Sequence, residues 1–305
     1  MRRSSVRRPE EPAIHVHAPA HAENAPAEYE TTRKPALIAQ SLANEPIPGV
    51  TVSVAEPAEE SLVTEMHDHA YIEAVRTGDP SDLAESNGLD WSEELYPAVL
   101  ASTGAVMSSL GTALDDGRGF GLAAGLHHAR AERGSGFCTV NGLALAAVLS
   151  AQRGLEVVVI DLDAHFGGGT QSIVGELDSV RQLDVSTSAF DSYAPTSQAT
   201  PMLVGDAGEY LATVRLGLTW LEHGPRPDIV LYNAGVDPHE DCPTGGLRGL
   251  TTATLAERDA LVADWAVANG LPIAAVLAGG YEGARLDTDD LVGLHRNTIA
   301  ALAAA

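Results

Sequence analysis

Residues 157–171 read Val-Val-Val-Ile-Asp-Leu-Asp-Ala-His-Phe-Gly-Gly-Gly-Thr-Gln, and this stretch decides the predicted fold. A short, continuous β-branched run is typical of a buried strand in a parallel sheet, and side chains two residues apart on a strand share a face. Asp161, Asp163 and His165 are therefore presented together where the strand gives way to a glycine loop. Unpaired charges at the end of a buried strand are costly, so packing alone does not explain them. We expect a metal site here.

Strand-like and helix-like segments alternate along the rest of the chain. Strands are predicted at 13–17, 50–54, 119–123, 156–163, 181–186, 228–234 and 272–278. Helices are predicted at 34–43, 67–76, 94–115, 138–152, 208–223, 252–269 and 288–304. This alternation predicts an α/β fold with a mostly parallel sheet, helices on both faces, and ligands beyond the carboxyl ends of the strands. We expect one domain over residues 13–305, preceded by a disordered tail at 1–12.

The composition limits the classes of partner. The chain has 305 residues, 45% of them hydrophobic, and a net charge of −24 from 42 acidic and 18 basic residues. Such a surface repels phosphate backbones, so we expect no nucleic-acid partner, whereas cationic ligands are attracted at low salt. Solubility or adaptation to salt explains the charge better than a cationic substrate does, because net charge informs solubility more than function. The oligomeric state is left open.

Cysteine usage and hydropathy indicate in which cellular compartment the protein is expected. Cys138 and Cys242 stand in unrelated contexts without a CxxC spacing, so neither a disulfide framework nor a cysteine zinc site is predicted. No stretch reaches the roughly 18 apolar residues of a membrane span, and the arginine-rich start is not followed by a signal-peptide core. We therefore expect a cytoplasmic protein without a membrane partner.

A further carboxylate completes a possible metal-binding set. Asp237 follows the predicted strand 228–234 and can join Asp163 and His165 at the same edge of the sheet. Three nitrogen and oxygen ligands leave a fourth position open on zinc, which is the arrangement of a hydrolytic site.

Two more strand ends carry groups suited to catalysis. His127 and His128, adjacent imidazoles that titrate near neutral pH, follow strand 119–123. Gly279 and Gly280 follow strand 272–278, and their flexible backbone lets Tyr281 lean over the same opening.

These elements form one ordered set of motifs. In chain order they are His21-Ala-Glu23-Asn24, Met66-His-Asp-His-Ala-Tyr-Ile, Gly125-Leu-His127-His128-Ala, Ser135-Gly136-Phe137-Cys138 with Asn141, Asp161-x-Asp163-x-His165, Ala234-Gly235-Val-Asp237 and Gly279-Gly280-Tyr281. The set resembles the zinc-dependent histone deacetylase superfamily, which includes acetylpolyamine amidohydrolases and acetoin-utilisation deacetylases and shares its fold with arginases. The resemblance implies a single-domain, three-layer α/β sandwich of the arginase/deacetylase type.

The resemblance also implies the metal-binding residues. It makes Asp163, His165 and Asp237 the ligands of one Zn²⁺ per chain and gives Asp161 the task of orienting His127. Family members also hold a monovalent cation, K⁺ or Na⁺, beneath this strand. Here Asp161 and Ser186 are its expected ligands.

The implied reaction is the removal of an acetyl or other short acyl group from an amine. Zinc polarises the amide carbonyl and lowers the pKa of its water towards about 7. His128 is then the general base and acid, His127 its electrostatic partner, and Tyr281 the donor to the oxyanion. The substrate tunnel is expected to be walled by Gly136, Phe137, Phe190 and Tyr193.

Two departures from the family pattern affect these expectations. Most members continue the ligand strand as His-His-Gly-Asp/Asn-Gly, whereas this chain has Phe166 and Gly168 at the second and fourth positions. We therefore expect His128 to lack its orienting acceptor. The Pro-Gly-Thr-Gly segment of many members is represented only by Tyr193-Ala-Pro195-Thr196-Ser, which leaves the substrate class open.

Two alternative functions remain. One is a ureohydrolase of the arginase type, which needs two manganese ions and additional Asp and His ligands; the Asp-x-Asp-x-His order and the histidine pair argue against it. The other is a degenerate deacetylase that binds a ligand without turnover. Gly168 and Phe166 favour that reading, and Tyr281 with both histidines opposes it.

Several other residues are assigned no site role. His15, His17 and His21 are explained by a strand end followed by a polar loop. His67-Asp68 is similar to the motif of HD-type phosphohydrolases, but no matching His and Asp follow, so we interpret it as structural.

His239 competes with Asp237 as a ligand, and the kink expected at Pro238 favours the aspartate. Cys138 is interpreted as a packed residue at a helix start.

Overall fold

The structure, a computed structural model, describes residues 14–20 and 30–305. The whole predicted tail at 1–12 and the motif His21-Ala-Glu23-Asn24 lie outside the described residues.

The described residues build a central sheet with helices on both faces. Its strands are β1 (Ile14–Pro19), β2 (Val50–Ala55), β3 (Arg118–Ala124), β4 (Val157–Asp161), β5 (Val180–Ser186), β6 (Ala199–Leu203), β7 (Ile229–Ala234) and β8 (Ile273–Leu277). The helices are α1 (Glu30–Asn44), α2 (Glu60–Thr64), α3 (His69–Thr77), α4 (Ser81–Ala84), α5 (Leu95–Asp116), α6 (Gly142–Gln152), α7 (Gly168–Val174), α8 (Tyr210–Glu222), α9 (Thr252–Ala268) and α10 (Thr288–Ala304).

The strand order is β2-β1-β3-β8-β7-β4-β5-β6, and every neighbouring pair is parallel. The predicted α/β architecture is therefore confirmed, with a sheet that is wholly parallel. β3, β8, β7 and β4 are consecutive neighbours, so the loops that follow them open at one edge of the sheet. These are the loops that carry the predicted catalytic and metal-binding residues.

The two faces of the sheet bury separate apolar layers. Along β4, Val158 and Ile160 pack in the layer that includes residues of α8, α9 and α10, whereas Val157 and Val159 pack with α5 and α6. This alternation follows from the two-residue period of a strand. All five residues of β4 are buried, which explains its continuous β-branched sequence.

The structure corrects some predicted boundaries. The edge strand β6 was not predicted; it is short and contains Pro201, which an edge strand tolerates. The short helices α2, α4 and α7 were also missed, because four to seven residues show little periodicity. β4 ends at Asp161, so Asp163 and His165 lie in the following loop. The helix expected to begin at residue 138 begins at Gly142, because the side chain of Asn141 caps it.

Contrary to the expectation that no stretch is apolar enough for a membrane span, one helix in the described residues, α5, is long and apolar enough by length and composition alone. Half of its most apolar window is buried, and the helix packs closely against β3. A core helix of a globular domain satisfies the same criteria.

Candidate active site

Asp163, His165 and Asp237 converge in the loops after β4 and β7. Their ligand atoms lie within 4.8 Å of one another, and among the described residues they form the one such group of three. His165 Nδ1 is 3.1 Å from Asp163 Oδ1 and 3.2 Å from Asp237 Oδ2. A tetrahedral zinc ion with bonds of 2.0–2.2 Å places its ligand atoms about 3.4 Å apart, so the three residues fit such an ion.

Main-chain contacts hold this group in place. Ala164 N donates to Asp237 Oδ1 over 2.9 Å, which links the two loops directly. Asp237 Oδ2 is buried and accepts no well-directed hydrogen bond from the described residues, so it has an electron pair free for a cation. Behind the loops, the buried guanidinium of Arg258 donates to the carbonyl oxygens of Leu162 and Gly235.

When no metal competes, His165 is the one of these three ligands that stays protonated at neutral pH. Burial disfavours the charged imidazolium of His165, but Asp163 and Asp237 outweigh it and raise its pKa to about 10. Burial and the charge of Asp163 raise the pKa of Asp237 to about 6. Burial also acts against ionised Asp163, yet the three neighbouring histidines hold its pKa below the ordinary range.

The two adjacent histidines lie beside this group in different electrostatic surroundings. His127 Nδ1 is 2.6 Å from Asp161 Oδ2, as the family resemblance implies, and its Nε2 is 3.7 Å from Asp163 Oδ1. Burial opposes the charge on His127, but these two carboxylates raise its pKa to about 10. Burial, and then the neighbouring His127, lower the pKa of His128 to about 4. At neutral pH His127 is therefore charged and His128 neutral.

Tyr281 borders the same site from the loop after β8. Its phenol pKa is raised, first by burial and then by Asp237 and Asp163, so the hydroxyl keeps its proton at neutral pH. The buried Lys34 Nζ donates to the carbonyl oxygens of Ala278 (2.8 Å) and Gly280 (3.0 Å) and thereby holds this loop. Sequence reasoning missed that role, although Lys34 is the one lysine of the chain.

A cavity of about 210 Å³ leads to these groups. It is lined by His128, Gly136, Phe137, His165, Phe190, Thr244 and Tyr281. Phe137 and Phe190 are 45% and 49% exposed, large fractions for aromatic rings, so apolar walls flank the opening. A second space, of about 20 Å³, continues past His127, His128 and Tyr281. Thr244 was not predicted from the sequence.

A family model described as a histone deacetylase domain matches residues 28–290. The chain belongs to the histone deacetylase family. It is 33% identical over 223 residues to an uncharacterised protein of Picosynechococcus sp., a match that covers 71% of this chain and 74% of the relative. It is 30% identical over 220 residues to Histone deacetylase 2 of Arabidopsis thaliana, which covers 69% of this chain and 56% of that protein.

Solved structures share the fold of this histone deacetylase family member. Acetylpolyamine aminohydrolase from Burkholderia pseudomallei aligns over 95% of this chain and 99% of its own, with a TM-score of 0.78 and 18% identity. The HD domain of HDA15 aligns over 95% of this chain and 89% of its own, with a TM-score of 0.76 and 19% identity. The arginase/deacetylase-like fold is thereby confirmed, and family membership supports deacetylation of acyl-amines as the general activity.

One departure from the family pattern has an unexpected outcome. The prediction that His128 lacks an orienting acceptor is wrong, because its Nδ1 lies 2.9 Å from Oδ2 of Asp191. Asp191 follows Phe190 in the loop after β5, and sequence reasoning did not single it out. Phe166, the other departure, is buried and packs its ring against Tyr193.

The prediction that Tyr193 walls the tunnel is also corrected. Its hydroxyl donates to Oδ2 of the buried Asp184, on β5, and the residue is not among those that line the cavity. The other three predicted wall residues, Gly136, Phe137 and Phe190, do line it.

Polar groups gather around Asp161 where the monovalent cation is expected. Asp184 pairs in register with Asp161 on the neighbouring strand, and Ser186 Oγ is buried with no hydrogen-bond partner among the described residues. Burial and the charge of Asp161 raise the pKa of Asp184 to about 7. A buried, orphaned hydroxyl two residues along β5 from Asp184, the strand partner of Asp161, fits a cation site, and sequence reasoning missed Asp184.

The remaining histidines have other partners. His67 Nε2 accepts from Asn141 N over 3.1 Å, which agrees with the structural reading of His67-Asp68. His239 lies 3.1 Å from the hydroxyl of Thr252 and does not join the metal-binding group. Cys138 is buried and lies four residues before the start of α6, not within it.

Proposed function

We propose that the protein is a zinc-dependent amidohydrolase that removes an acetyl or other short acyl group from an amine. The observation that carries the proposal is the convergence of Asp163, His165 and Asp237 at the end of a cavity that a neutral His128 and a protonated Tyr281 also line. Metal ligands, a base and a hydroxyl donor are the parts that amide hydrolysis needs.

Asp163, His165 and Asp237 would hold the ion. When bound, zinc supplies a Lewis acid for the amide carbonyl and acidifies a water molecule. Neutral His128 takes a proton from the attacking water as its oxygen bonds to the carbonyl carbon. His128 then returns the proton to the nitrogen as the C–N bond breaks, so the products are a carboxylic acid and a free amine.

Two further groups stabilise the charge that develops in this reaction. The Tyr281 hydroxyl donates to the carbonyl oxygen as it becomes negative. His127, kept charged by Asp161, adds a fixed positive charge beside the reacting atoms. The same charge disfavours protonation of His128 before the substrate arrives, which suits a general base.

The cavity supports an extended acyl-amine as the substrate. Its aromatic mouth, formed by Phe137 and Phe190, suits a methylene chain such as that of acetyl-lysine, an acetylpolyamine or a small N-acyl metabolite. The inner space of about 20 Å³ holds roughly one water molecule, which favours a short acyl group. The net charge of −24 adds only weak support for a cationic substrate, because solubility or adaptation to salt explains it better.

The alternative functions have less support. A ureohydrolase needs ligands for two ions, and the described residues contain one group of three. The hypothesis of a degenerate deacetylase that binds a ligand without turnover depended on His128 having no hydrogen-bond acceptor. Asp191 is such an acceptor. That the protein acts in the cytoplasm, away from nucleic acid and membranes, stays a prediction from composition.

The test is a substrate panel assayed with purified protein whose zinc content has been measured. Acetyl-lysine peptides, acetylpolyamines and small N-acyl amines are compared before chelation, after chelation and after zinc is restored. We expect turnover of at least one class that chelation abolishes and zinc restores. No turnover by protein with one zinc per chain, or a rate unaffected by chelation, would refute the proposal.

A further inference from the structure

The carboxylate of Asp191 is held on both oxygens beside His128. Oδ2 lies 2.9 Å from His128 Nδ1 and accepts from Gly169 N over 3.0 Å. Oδ1 accepts from Arg130 Nη2 over 2.6 Å. The aspartate side chain is only 7% exposed, so these bonds form with little competition from water.

Arg130 connects the aspartate to the histidine by a second route. Its Nη1 donates to the main-chain oxygen of His128 over 3.1 Å, while its Nη2 binds Asp191. The arginine therefore fixes the backbone of His128 and the carboxylate that faces its ring. A charged, two-sided contact of this kind restricts geometry more than a single neutral hydrogen bond does.

Gly168 is what lets the aspartate approach. A β-carbon at residue 168 would lie 2.2 Å from the main-chain oxygen of Asp191 and 2.5 Å from its Oδ1. Neither distance is possible for real atoms, so a side chain at 168 and this position of Asp191 exclude each other. Asp191 has a φ of 56°, a left-handed conformation that aspartate tolerates better than most residues.

We infer that Asp191 is the positioning residue of His128 and stands in for the side chain that the family pattern places at Gly168. The inference rests on the proposed function, in which His128 is the base. A carboxylate can only accept at Nδ1, so it selects the tautomer with the proton on Nδ1. Nε2 then presents its lone pair to the substrate.

The same segment also shapes the mouth of the cavity. Phe190, next to Asp191, places its ring edge-on to His128, with the centroids 5.0 Å apart. One loop thus both walls the substrate cavity and aims the base. Gly168 is not among the residues that line the cavity, so a substitution there acts through this loop.

Asp191→Asn is the sharpest variant. The charged Arg130 keeps the amide oxygen of Asn on its own side, at the cost of the hydrogen bond from Gly169 N. The NH₂ group then faces His128 Nδ1 and favours the tautomer with the proton on Nε2. We expect kcat of the zinc-loaded enzyme to fall by about a hundredfold or more, with KM and zinc affinity within about twofold of wild type. The exposed Asp178→Asn is the matched control and should change neither.

Gly168→Ala provides an independent variant, because the new methyl group must displace Asp191. It should lower kcat in the same way, whereas Gly293→Ala, whose new β-carbon meets nothing within 4 Å, should not. Nitrogen-15 NMR of the histidine rings supplies a readout that needs no turnover. We expect the Nδ1–H tautomer for His128 in the wild type and its loss in Asp191→Asn.

Wild-type kcat in Asp191→Asn, or an unchanged His128 tautomer in it, would overturn the inference. Failure of the proposed function is a separate result, because wild-type protein would then turn over no acyl-amine while the tautomer comparison could still be made.

Discussion

The main-chain nitrogen of Gly279 donates a 2.6 Å hydrogen bond to Oδ2 of Asp163. The glycine follows β8 and the aspartate follows β4, so this bond joins two strand ends that flank β7. A β-carbon at residue 279 would lie 2.1 Å from Oδ2 of Asp237 and 2.5 Å from Oδ2 of Asp163. The spacing of the two carboxylates therefore depends on the absence of a side chain at Gly279.

Gly279→Ala should separate these carboxylates and weaken zinc binding by at least about a hundredfold, since the ligands of a tetrahedral ion must stay within narrow distances. Competition with a chromophoric chelator measures the affinity. Gly293→Ala, in the open part of α10, is the control and should bind zinc like the wild type. Equal zinc affinity of Gly279→Ala and the wild type would show that the glycine is dispensable.

Tyr281→Phe should lower kcat by about a hundredfold or more, because it removes one hydroxyl donor to the developing oxyanion. The ring remains, so KM and zinc content should stay near those of the wild type. Steady-state kinetics and metal analysis check both points. Tyr96→Phe, in a separate apolar cluster, serves as the control. A fully active Tyr281→Phe enzyme would remove this tyrosine from the reaction.

Zinc affinity should rise with pH. His165 has a pKa of about 10 in the metal-free protein, so zinc must displace its proton below that pH, and affinity should increase about tenfold per unit. Below pH 6, Asp237 also carries a proton, and the slope should approach two protons per ion. Chelator competition between pH 5.5 and about 8.5 measures this dependence of zinc affinity on pH. His239→Gln should give the same curve, and a flat curve for the wild type would contradict the assignment of His165 as a ligand.

Potassium should stabilise the protein more as the pH rises. The folded-state pKa of Asp184, about 7, lies above its ordinary value of 3.8, so stability from this group is present below about pH 4 and declines as pH rises to about 7. A cation beside Asp161 and Asp184 offsets that loss. The rise in Tm on replacing choline with K⁺ should therefore be larger at pH 8 than at pH 5, and Ser186→Ala should reduce it. An equal rise in Tm at pH 5 and pH 8 would argue against a cation beside Asp161 and Asp184.

The sequence of β4 was sufficient to predict its burial and the metal-binding group after it. A continuous β-branched run is typical of a strand in a parallel sheet that is buried on both faces. Asp163 and His165 are too polar for such an interior unless a ligand binds them. The neighbouring strand ends could be placed at the same edge because parallel strands share a direction. The pairing of Asp161 with His127 came from the family resemblance, and the 2.6 Å distance between Asp161 Oδ2 and His127 Nδ1 agrees with it.

Asp191, Lys34 and Thr244 could not be found in this way. Each reaches the site from a loop or helix whose path depends on packing, and no spacing along the chain links Lys34 to Gly280 or Asp191 to His128. Tyr193 illustrates the opposite error, since a plausible wall residue turns instead towards Asp184.

The sequence by itself determined the α/β class, the parallel sheet and the identity of the three residues that converge as a metal-binding group, because local hydrophobic pattern and strand direction decide these features. Only the tertiary structure decided what orients His128. The sequence shows a missing side chain at Gly168, whereas the fold shows that the vacated space admits Asp191 from a loop more than twenty residues away. Hydrogen-bond geometry depends on where atoms lie, and steric exclusion between two distant segments leaves no trace in the order of residues.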